Sequence, residues 1–468
     1  MEQAALEKLV RQLLSEELQL EKHPTLNVAC TNGKSGIFAT VDEAITAAKQ
    51  AQDKFEDLPL ADREKAIEAI RRTMLPQIEE LARRSVSETG LGNVADKTIK
   101  NKGAIAQTPG VEDLLTQVKT GDLGMTLHEI SPYGVIGAVT PSTNPTETII
   151  CNSIGMLAAG NAIYFAPHPG AKHVCLWLIE QLNQIIKEAI GIENLMVTTA
   201  EPSIANAQEM MAHPDVALLV VTGGPGVVAQ AMKSGKKAIG AGAGNPPAIV
   251  DETANIEKAA SDIVAGASFD YGIICVAEKS VVAVEGIADY LMKQMEKNKA
   301  LRLKNSADIA KLKEVTMVDG KINKKFVGKS ASSILQAAGI TCDFEPRLII
   351  FETTKDDPFV VLEQLMPVLP IVRVKDFEAA LKMAIEIEEG LLHTVIMHSQ
   401  NISRLNKVGR KLKTSIFVKN GPSYSGLGFE AEGAITFTIA TPTGEGTTTA
   451  RHFARTRRCV LTDGFSIR

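Results

Sequence analysis

The sequence predicts an α/β fold with two doubly wound domains and a β-strand arm at the C-terminal end. Apolar strand-like runs alternate with helical segments over most of the 468 residues, which is typical of parallel sheets with helices on both faces. At roughly 100–200 residues per domain, this length allows two or three domains that each bury a core. The basic, alternating tail from Phe437 predicts a strand that lies on a neighbouring subunit.

Composition argues against several classes of protein. The formal net charge is −5 and the charged residues, 22% of the chain, are nearly balanced in sign, so we expect no nucleic-acid partner. The longest apolar runs, such as 216–221, are far shorter than the ~20 residues of a bilayer span, and Glu2 follows Met1, so we expect neither a membrane segment nor a signal peptide. The six cysteines show no clustered spacing, which predicts a reducing, cytoplasmic compartment without disulfides or a metal site.

Residues 1–20 combine one apolar and one charged face at helical spacing, and a polar linker is expected at 21–36. The apolar face consists of Leu6, Leu9, Val10, Leu13, Leu14 and Leu18. This pattern fits two alternatives: the first helix of the main domain, or a detachable helix that docks on another protein. The acidic residues of the polar face argue against docking on a membrane.

Residues 37–245 are predicted as the first α/β domain and residues 246–436 as the second. In the first, the pattern is helical from 37 to about 107, with helices at 41–55, 60–74, 76–89, 146–159, 176–190 and 204–212, and strands at 133–141, 161–166, 195–199 and 218–221. In the second, strands are expected at 249–251, 280–284, 348–351, 371–374, 394–397 and 415–418, and helices at 256–267, 287–298, 377–388 and 402–413. An arm strand is expected near 115–132, and residues 437–468 are expected to form an oligomerisation arm.

Two glycine-rich segments are candidates for ligand contact. Residues 222–226 (TGGPG) lie between a predicted strand and a predicted helix, where backbone N–H groups can face a phosphate. Their spacing is not GxGxxG, so nucleotide contact and an ordinary tight turn both remain open. In the second segment, 240–247, Pro246 and Pro247 prevent the helix that a dinucleotide fingerprint needs. Its glycines instead indicate a backbone that passes close to a ligand or another strand.

Cys275 and Asn144 are the candidate catalytic side chains. Cys275 follows a glycine-containing turn and precedes a strand, but only Lys279 lies near it in sequence, so a buried core cysteine remains the alternative. Asn144 follows a strand and can donate to a developing oxyanion, or it can cap the helix at 146–159. His168 and His393 are isolated and are interpreted as structural, and we expect no metal.

Eight motifs together resemble the aldehyde dehydrogenase superfamily, in its coenzyme-A-acylating branch, over essentially the whole chain. They are residues 140–145 (TPSTNP), 165–172 (FAPHPGAK), 222–226 (TGGPG), 240–251 (GAGAGNPPAIVD), 269–279 (FDYGIICVAEK), 363–370 (EQLMPVLP), 414–421 (TSIFVKNG) and 441–458 (TPTGEGTTTARHFARTRR). Within that branch the chain is most similar to the propionaldehyde dehydrogenases of 1,2-propanediol-utilisation microcompartments, followed by the acetaldehyde dehydrogenases of the ethanolamine pathway. Residues 1–20 resemble the encapsulation peptides of such enzymes, which implies contact with shell proteins.

The resemblance implies a role for each matching residue. Cys275 falls on the nucleophile, and the Asn144 side chain and the backbone N–H of Cys275 fall on the oxyanion hole. The positions that match the NAD site are Thr140, Pro141, Ser142, His168, Thr222, Gly223, Gly224, Gly226 and Glu363. Tyr271, Ile273 and Ile274 differ from the commoner residues before the cysteine and are expected to line the aldehyde pocket.

The absence of a carboxylate from one motif bears on whether the product is a free acid or a thioester. Hydrolytic members carry a glutamate in the segment that matches 240–251, whereas this stretch contains no carboxylate before Asp251. A thioester formed on Cys275 can therefore persist until the thiol of coenzyme A attacks it. The expected reaction converts propanal and NAD to propanoyl-CoA in a microcompartment lumen, as part of 1,2-propanediol degradation, by a homodimer or homotetramer. The alternatives are an acetaldehyde dehydrogenase, a hydrolytic aldehyde dehydrogenase, or a shell-binding scaffold without activity.

Overall fold

The computed structural model describes residues 35–465. The predicted helix at 1–20 and nearly all of the linker at 21–36 lie outside this range and remain predictions. Three sheets organise the described residues: a six-stranded parallel sheet, a seven-stranded parallel sheet and a three-stranded antiparallel sheet. The predicted α/β class with parallel sheets is therefore confirmed.

The first half of the chain forms the six-stranded sheet and its helices. In chain order it contains β1 (Ile37–Phe38), α1 (Val41–Glu56), α2 (Leu60–Met74), α3 (Ile78–Thr89), α4 (Val94–Gln107), β2 (Gln117–Gly121), β3 (Gly124–Pro132), β4 (Val135–Thr140), α5 (Pro145–Ala158), β5 (Ala162–Pro167), α6 (Lys172–Ile190), β6 (Met196–Thr199), α7 (Ile204–Ala212), β7 (Val216–Thr222), α8 (Pro225–Lys233) and β8 (Lys237–Ala241). The strand order β1-β6-β5-β4-β7-β8 reverses direction between β4 and β7. Such a switch point leaves a crevice outside the carboxyl ends of the strands, where ligands bind.

The second half forms the seven-stranded sheet in the order β11-β14-β15-β10-β9-β16-β17. It contains β9 (Pro247–Val250), α9 (Ile256–Ser268), β10 (Ser280–Val284), α10 (Glu285–Lys297), β11 (Ala300–Leu303), α11 (Ser306–Thr316), β12 (Met317–Val318), β13 (Lys321–Ile322), α12 (Ala331–Ala337), β14 (Leu348–Thr353), α13 (Pro358–Val361), β15 (Val368–Val374), α14 (Phe377–Glu388), β16 (Thr394–His398), α15 (Ile402–Leu412), β17 (Ile416–Lys419), β18 (Ile439–Ala440), β19 (Gly446–Thr447) and β20 (Ala454–Thr462). Every residue of the neighbouring strands β9 and β10 is buried, as expected for parallel strands covered on both faces.

Two short strands differ from the predicted pattern. Ile37 and Phe38 were expected to open a helical region, but they form the edge strand β1, which pairs with the buried strand β6. Tertiary pairing therefore overrides the local pattern at this position. Strand β8 was not predicted, because its glycine at position 240 obscures the strand signal. A cluster of short elements between β11 and α12 was also not predicted.

Helix α5 connects the core to the crevice. All fourteen of its residues are buried, and Pro145 occupies its first turn, where a missing N–H costs nothing. The segment Ala450–Phe453 packs on this helix, with Phe453 only 2% exposed. Residues directly before α5 are consequently held in fixed positions at the end of β4.

The antiparallel sheet β2-β3-β20 contains the segments that were predicted as arms. Strand β20 pairs with β3 from Ala454↔Pro132 to Thr462↔Gly124, and all its residues after Ala454 are exposed. Exposed apolar side chains on or beside this sheet include Val118, Leu123 and Val460. Residues 437–453, by contrast, lie largely against the first sheet, with Ile439 and Ala450 buried. The domain boundaries and the contact with a neighbouring subunit remain predictions.

Candidate active site

A cavity of about 340 Å³ lies outside the carboxyl ends of β4, β5, β7 and β8. Most of the predicted site residues line it: Thr140, Pro141, Ser142, Asn144, His168, Thr222, Gly223, Gly224, Ile273, Cys275 and Glu363. Gly226, Tyr271 and Ile274 do not line it. The structure therefore gathers eleven predicted residues from both halves of the chain around one volume of a size that suits a small ligand.

The glycine turn leaves open space beside the first turn of α8. Gly224 is the N-cap of this helix, Pro225 follows at its first position, and neither Gly224 nor Gly226 has an atom within 4 Å of where a Cβ would lie. The first N–H groups of a helix have no partner within it, and an anion is favoured there. The turn therefore fits the pyrophosphate of a dinucleotide.

The second glycine cluster serves close packing. A Cβ on Gly240 would lie 2.7 Å from Cγ1 of Val228 on α8, and a Cβ on Gly242 would lie 3.1 Å from Cγ of Pro442. Strand β9 begins at Pro247, so no helix follows this cluster, as predicted. The backbone is closely approached here, but the neighbours are a helix and a proline loop and not the ligand or strand that the sequence indicated.

Cys275 is half-buried at the cavity wall, whereas Cys151 and Cys175 are fully buried in the core. The chain reaches it through a tight turn in which Asp270 and Tyr271 have φ of 48° and 56°. Burial raises the pKa of Cys275 to about 12, the carboxylate of Glu363 adds to this rise, and Lys279 opposes it. In the free protein the sulfur is therefore a neutral thiol at pH 7.

The same turn explains why two sequence neighbours of Cys275, Tyr271 and Ile274, do not line the cavity. Residues with positive φ reverse the path of the backbone, so side chains that are adjacent in sequence diverge. Ile274 is 2% exposed and packs in the main hydrophobic core. Of the three predicted pocket residues, only Ile273 reaches the cavity.

Asn144 occupies the N-cap position of α5, but its side chain makes no capping hydrogen bond. Its Oδ1 accepts a hydrogen bond from Nζ of Lys100 at 2.5 Å, and its Nδ2 donates to Oγ1 of Thr143 at 3.3 Å. The structure thus favours the donor role over the capping role that the sequence left open.

Four charged side chains, each fully buried, form a cluster beneath Asn144 that was not predicted. This buried tetrad consists of Lys97, Lys100, Glu147 and Asp270. Nζ of Lys100 lies 2.5 Å from Asp270 Oδ2 and 3.2 Å from Glu147 Oε1, and Nζ of Lys97 lies 3.2 Å from Asp270 Oδ2. Burial opposes both charges, yet the two carboxylates raise the pKa of Lys100, and the ammonium groups lower the pKa of Asp270. Both groups therefore remain charged at neutral pH.

Glu363 and Lys279 flank the thiol from the second half of the chain. Glu363 Oε1 accepts a hydrogen bond from the backbone N–H of Gly244 at 3.3 Å, and burial raises the pKa of Glu363. Nζ of Lys279 donates to the carbonyl oxygens of Gly272 (2.7 Å) and Ile274 (3.3 Å). These bonds brace the turn that presents Cys275.

His393, which was interpreted as structural, also lines the cavity. Nδ1 lies 2.8 Å from Oγ1 of Thr394, but the buried Nε2 has no hydrogen-bond partner. A Cβ on Gly244 would lie 2.7 Å from Cγ of His393 and 3.0 Å from the carbonyl oxygen of Cys275, so both residues flank this glycine. Burial and the nearby Lys279 charge lower the pKa of His393 to about 4. No local signal distinguishes it, since it simply precedes strand β16.

His168 lies at the other end of the cavity, where its Nδ1 accepts a hydrogen bond from the backbone N–H of Gly170 at 3.0 Å. Within residues 35–465, no group of three or more acidic, histidine or cysteine side chains is placed to hold a metal ion. No helix in this part of the chain has the length and apolarity needed to cross a membrane.

Comparisons with known proteins give a consistent result. The profile of the aldehyde dehydrogenase family matches residues 21–428. A propanal dehydrogenase (CoA-propanoylating) of Salmonella typhimurium is 58% identical over the full length of both chains. Among solved structures, an engineered glycolyl-CoA reductase with bound NADP+ has a TM-score of 0.92 at 49% identity, covering 94% of this chain and 100% of that one. A Rhodopseudomonas palustris propionaldehyde dehydrogenase with bound CoA and an acylated cysteine has a TM-score of 0.91 at 51% identity, covering 92% and 99%.

Proposed function

The chain belongs to the aldehyde dehydrogenase family, and we propose that it oxidises propanal to propanoyl-CoA with NAD as the hydride acceptor. The observation that carries this proposal is the position of the Cys275 thiol in one cavity with Asn144, the glycine turn and His393. The 58% identity to a CoA-propanoylating enzyme supports propanal, and the CoA-bound neighbour supports coenzyme A as the acyl acceptor.

The residues around the cavity fit a nicotinamide dinucleotide. The N-terminus of α8 and the open space at Gly224 accommodate the pyrophosphate, and Glu363 can accept hydrogen bonds from a ribose. When bound, the cofactor takes up the hydride that leaves the aldehyde carbon. Thr140, Ser142 and Thr222 supply hydroxyl groups along the same wall.

In the first half-reaction, the thiol of Cys275 gives its proton to solvent water, its sulfur bonds to the aldehyde carbon, and the carbonyl oxygen becomes an oxyanion. Nδ2 of Asn144 and the backbone N–H of Cys275 are the donors proposed for that oxygen. When the hydride leaves the same carbon, the C=O bond re-forms and a thioester remains on Cys275.

In the second half-reaction, the thiol of coenzyme A attacks the thioester carbon and Cys275 leaves as a thiolate. His393 is the proposed acceptor of the coenzyme A proton, because its Nε2 has no other partner and its pKa of about 4 keeps it neutral. Exchange of one thioester for another is nearly isoenergetic once the displaced Cys275 thiolate, whose pKa is about 12, takes up a proton.

A hydrolytic aldehyde dehydrogenase is the second candidate, and Glu363 favours it. Residues 241–243 of the cavity wall are Ala, Gly and Ala, but Glu363 brings a carboxylate to the same cavity. A carboxylate with a raised pKa can accept a proton from water, which would release propanoate. The hydrogen bond from Gly244 and the proposed ribose contact both compete with that role.

A direct experiment separates the candidates. NADH formation and products are measured with C2–C5 aldehydes, with NAD or NADP, and with or without coenzyme A. The proposal expects sustained NADH formation and propanoyl-CoA only when coenzyme A is present, with the highest kcat/KM for propanal. Full-rate turnover to propanoate without coenzyme A would support hydrolysis, and the variant Glu363→Gln would then stop it. A preference for the C2 aldehyde would identify an acetaldehyde dehydrogenase, and nucleotide binding without turnover would favour a scaffold.

We further propose that residues 1–20 direct the enzyme into a microcompartment by docking on its shell proteins, as part of 1,2-propanediol degradation. The amphipathic pattern of this segment supports the proposal. Deletion of residues 1–20 is expected to leave kcat unchanged and to abolish co-purification with shells. Loss of folding on deletion would show instead that the segment belongs to the main domain.

The exposed sheet β2-β3-β20 supports a homodimer or homotetramer, because exposed strands with apolar side chains are typical of interfaces. Gel filtration with light scattering at micromolar concentration tests this proposal. A monomer under these conditions would contradict it.

A further inference from the structure

The amide of Asn144 has a charged partner below the cavity that the proposed reaction does not itself require. Nζ of Lys100 donates to Oδ1 of this amide at 2.5 Å, and both side chains are buried. We propose that Lys100 is a positioning residue: it fixes the orientation of the Asn144 amide so that the N–H groups of this amide face the aldehyde oxygen. This inference rests on the proposed function.

Three oxygens surround Nζ of Lys100. They belong to Asn144, Asp270 and Glu147, at 2.5, 2.5 and 3.2 Å. The Asn144 oxygen accepts a hydrogen bond from this ammonium, and the carboxylates of Asp270 and Glu147 pair with its charge. Loss of the Asn144 oxygen therefore leaves a buried donor without its acceptor.

This arrangement decides between the two orientations of the amide. An asparagine amide has nearly the same shape when its oxygen and nitrogen exchange places, so packing alone does not select one. In the exchanged orientation, the N–H groups of Asn144 would point at the positive charge of Lys100, and the amide oxygen would point at the developing oxyanion. Both contacts would be repulsive, and the buried site has little water to screen them.

The same ammonium reaches the turn that leads to Cys275. Asp270 Oδ2 accepts from Lys100, while Asp270 Oδ1 accepts from the backbone N–H of Asn93 at 2.8 Å. The backbone N–H of Asp270 in turn donates to Asp96 at 2.8 Å. Lys100 therefore contacts one proposed oxyanion donor, the Asn144 amide, directly. Through Asp270 it also contacts the turn that leads to the other donor, the backbone N–H of Cys275.

Lys97 provides a matched control within the same cluster. It is also fully buried and pairs with Asp270, but its other contact is the backbone oxygen of Thr143 at 2.9 Å. Lys97 does not contact the Asn144 amide. If the lysines only balanced the buried carboxylate charges, the two lysine variants would have similar effects on the rate.

The experiment compares two double variants with equal charge changes. Lys100→Met with Glu147→Gln removes one buried cation and one buried anion, and Lys97→Met with Glu147→Gln does the same. These two double variants are called the Lys100 pair and the Lys97 pair, and each is also combined with Asn144→Ala. The measurements on the full chain are single-turnover NADH formation from propanal, the aldehyde KM, the dissociation constant for NAD and the thermal unfolding midpoint.

We expect the Lys100 pair to lower the single-turnover rate by about 10- to 100-fold, below the ~10²–10³ that loss of an oxyanion donor costs. The aldehyde KM and the NAD dissociation constant should change by less than about 3-fold, because neither depends on the amide orientation. The Lys97 pair should change the rate by less than about 3-fold. In the Asn144→Ala background, the Lys100 pair should add less than about 3-fold, because it acts through that amide.

The inference would be overturned if both pairs lost the same fraction of the single-turnover rate, or if the Lys100 pair lost none. It would also be overturned if the Lys100 pair lowered the rate by the same factor in the Asn144→Ala background. If the methionine pair does not fold, Lys100→Gln with Glu147→Gln makes the same comparison. Its neutral amide permits both orientations of Asn144, so a rate loss of about tenfold relative to the Lys97 pair is expected, and a rate equal to that of the Lys97 pair overturns the inference. Failure of the proposed function is distinct, because the unchanged enzyme would then form no propanoyl-CoA at all.

Discussion

The two halves of the chain contribute different kinds of chemistry to one cavity. The first half supplies strand ends, hydroxyl groups, a glycine turn, one amide and the His168 imidazole, whereas the second supplies the thiol, the His393 imidazole and the carboxylate. The first set lies at the carboxyl edge of β4, β5, β7 and β8, where backbone groups and helix N-termini converge. The second set comes from a strained turn and from residues next to strands of the other sheet.

Each half therefore contributes both to binding and to reaction. In the first half, the glycine turn is proposed to hold the cofactor and Asn144 is the proposed oxyanion donor. In the second half, Cys275 and His393 are proposed to react and Glu363 is the proposed ribose contact. Substitutions should therefore change affinity or rate according to the group that is lost, and not according to the half that carries it.

The largest effect is expected for the thiol. Cys275→Ala should lower propanal-dependent NADH formation by at least ~10⁴-fold, because no other described cysteine lines the cavity. NAD binding, measured by fluorescence titration, should remain within about 2-fold. Cys342→Ala is the matched control, since this half-buried thiol packs in a separate cluster. Retained activity in Cys275→Ala would refute the proposed nucleophile.

The next effect separates the two half-reactions. His393→Ala should lower the steady-state rate with coenzyme A by about 10²-fold, because the proposed proton acceptor is lost. The first burst of NADH should persist, since the imidazole is not proposed to act in the hydride step. His398→Ala serves as control, because this second buried histidine does not line the cavity. Equal loss of burst and steady state would contradict the assignment.

The raised pKa of Cys275 predicts a pH dependence of its alkylation. With a pKa of about 12, the reactive thiolate is a small fraction at neutral pH and grows about tenfold for each added pH unit. The rate of iodoacetamide labelling of Cys275 in the free protein, followed by peptide mass spectrometry, should rise without a plateau from pH 7 to 9. A plateau within this range would show that the pKa is depressed.

The smallest effect concerns two glycines of the first half. Gly224 has a φ of −64° and open space, so Gly224→Val should raise the KM for NAD about fivefold and leave the unfolding midpoint unchanged. Gly240→Val should instead lower the free energy of unfolding by ~1–3 kcal/mol, because a Cβ there would lie 2.7 Å from Val228. Thermal unfolding and initial rates test both variants. Similar behaviour of the two would remove the distinction between binding and packing glycines.

The predictable part of the site consists of features that the chain shows locally. The strand, turn and helix around Thr222–Gly226 have their own composition signals, and helices such as Leu60–Met74 and Phe377–Glu388 match their predicted bounds. Cys275 and Asn144 were candidates from their local sequence, the motif resemblance assigned their roles, and the structure places both at the cavity.

The unpredicted part depends on contacts between distant segments. His393 becomes notable only because folding places it beside Gly244, and Lys100 only because α4 packs under Asn144. Tyr271 and Ile274 were wrongly expected at the cavity because they are close to Cys275 in sequence, but neither of them lines it. Left-handed backbone at Asp270 and Tyr271 changes the direction of the chain there, and no pattern of apolar residues reveals such a change.

The contact between Lys100 and Asp270 joins a helix made early in synthesis to a turn made much later. The first sheet alone contains the Asn144 amide but not the Cys275 sulfur. The second half alone contains the sulfur but not the amide. The proposed covalent reaction with an aldehyde therefore requires that both halves of the chain are folded and packed together.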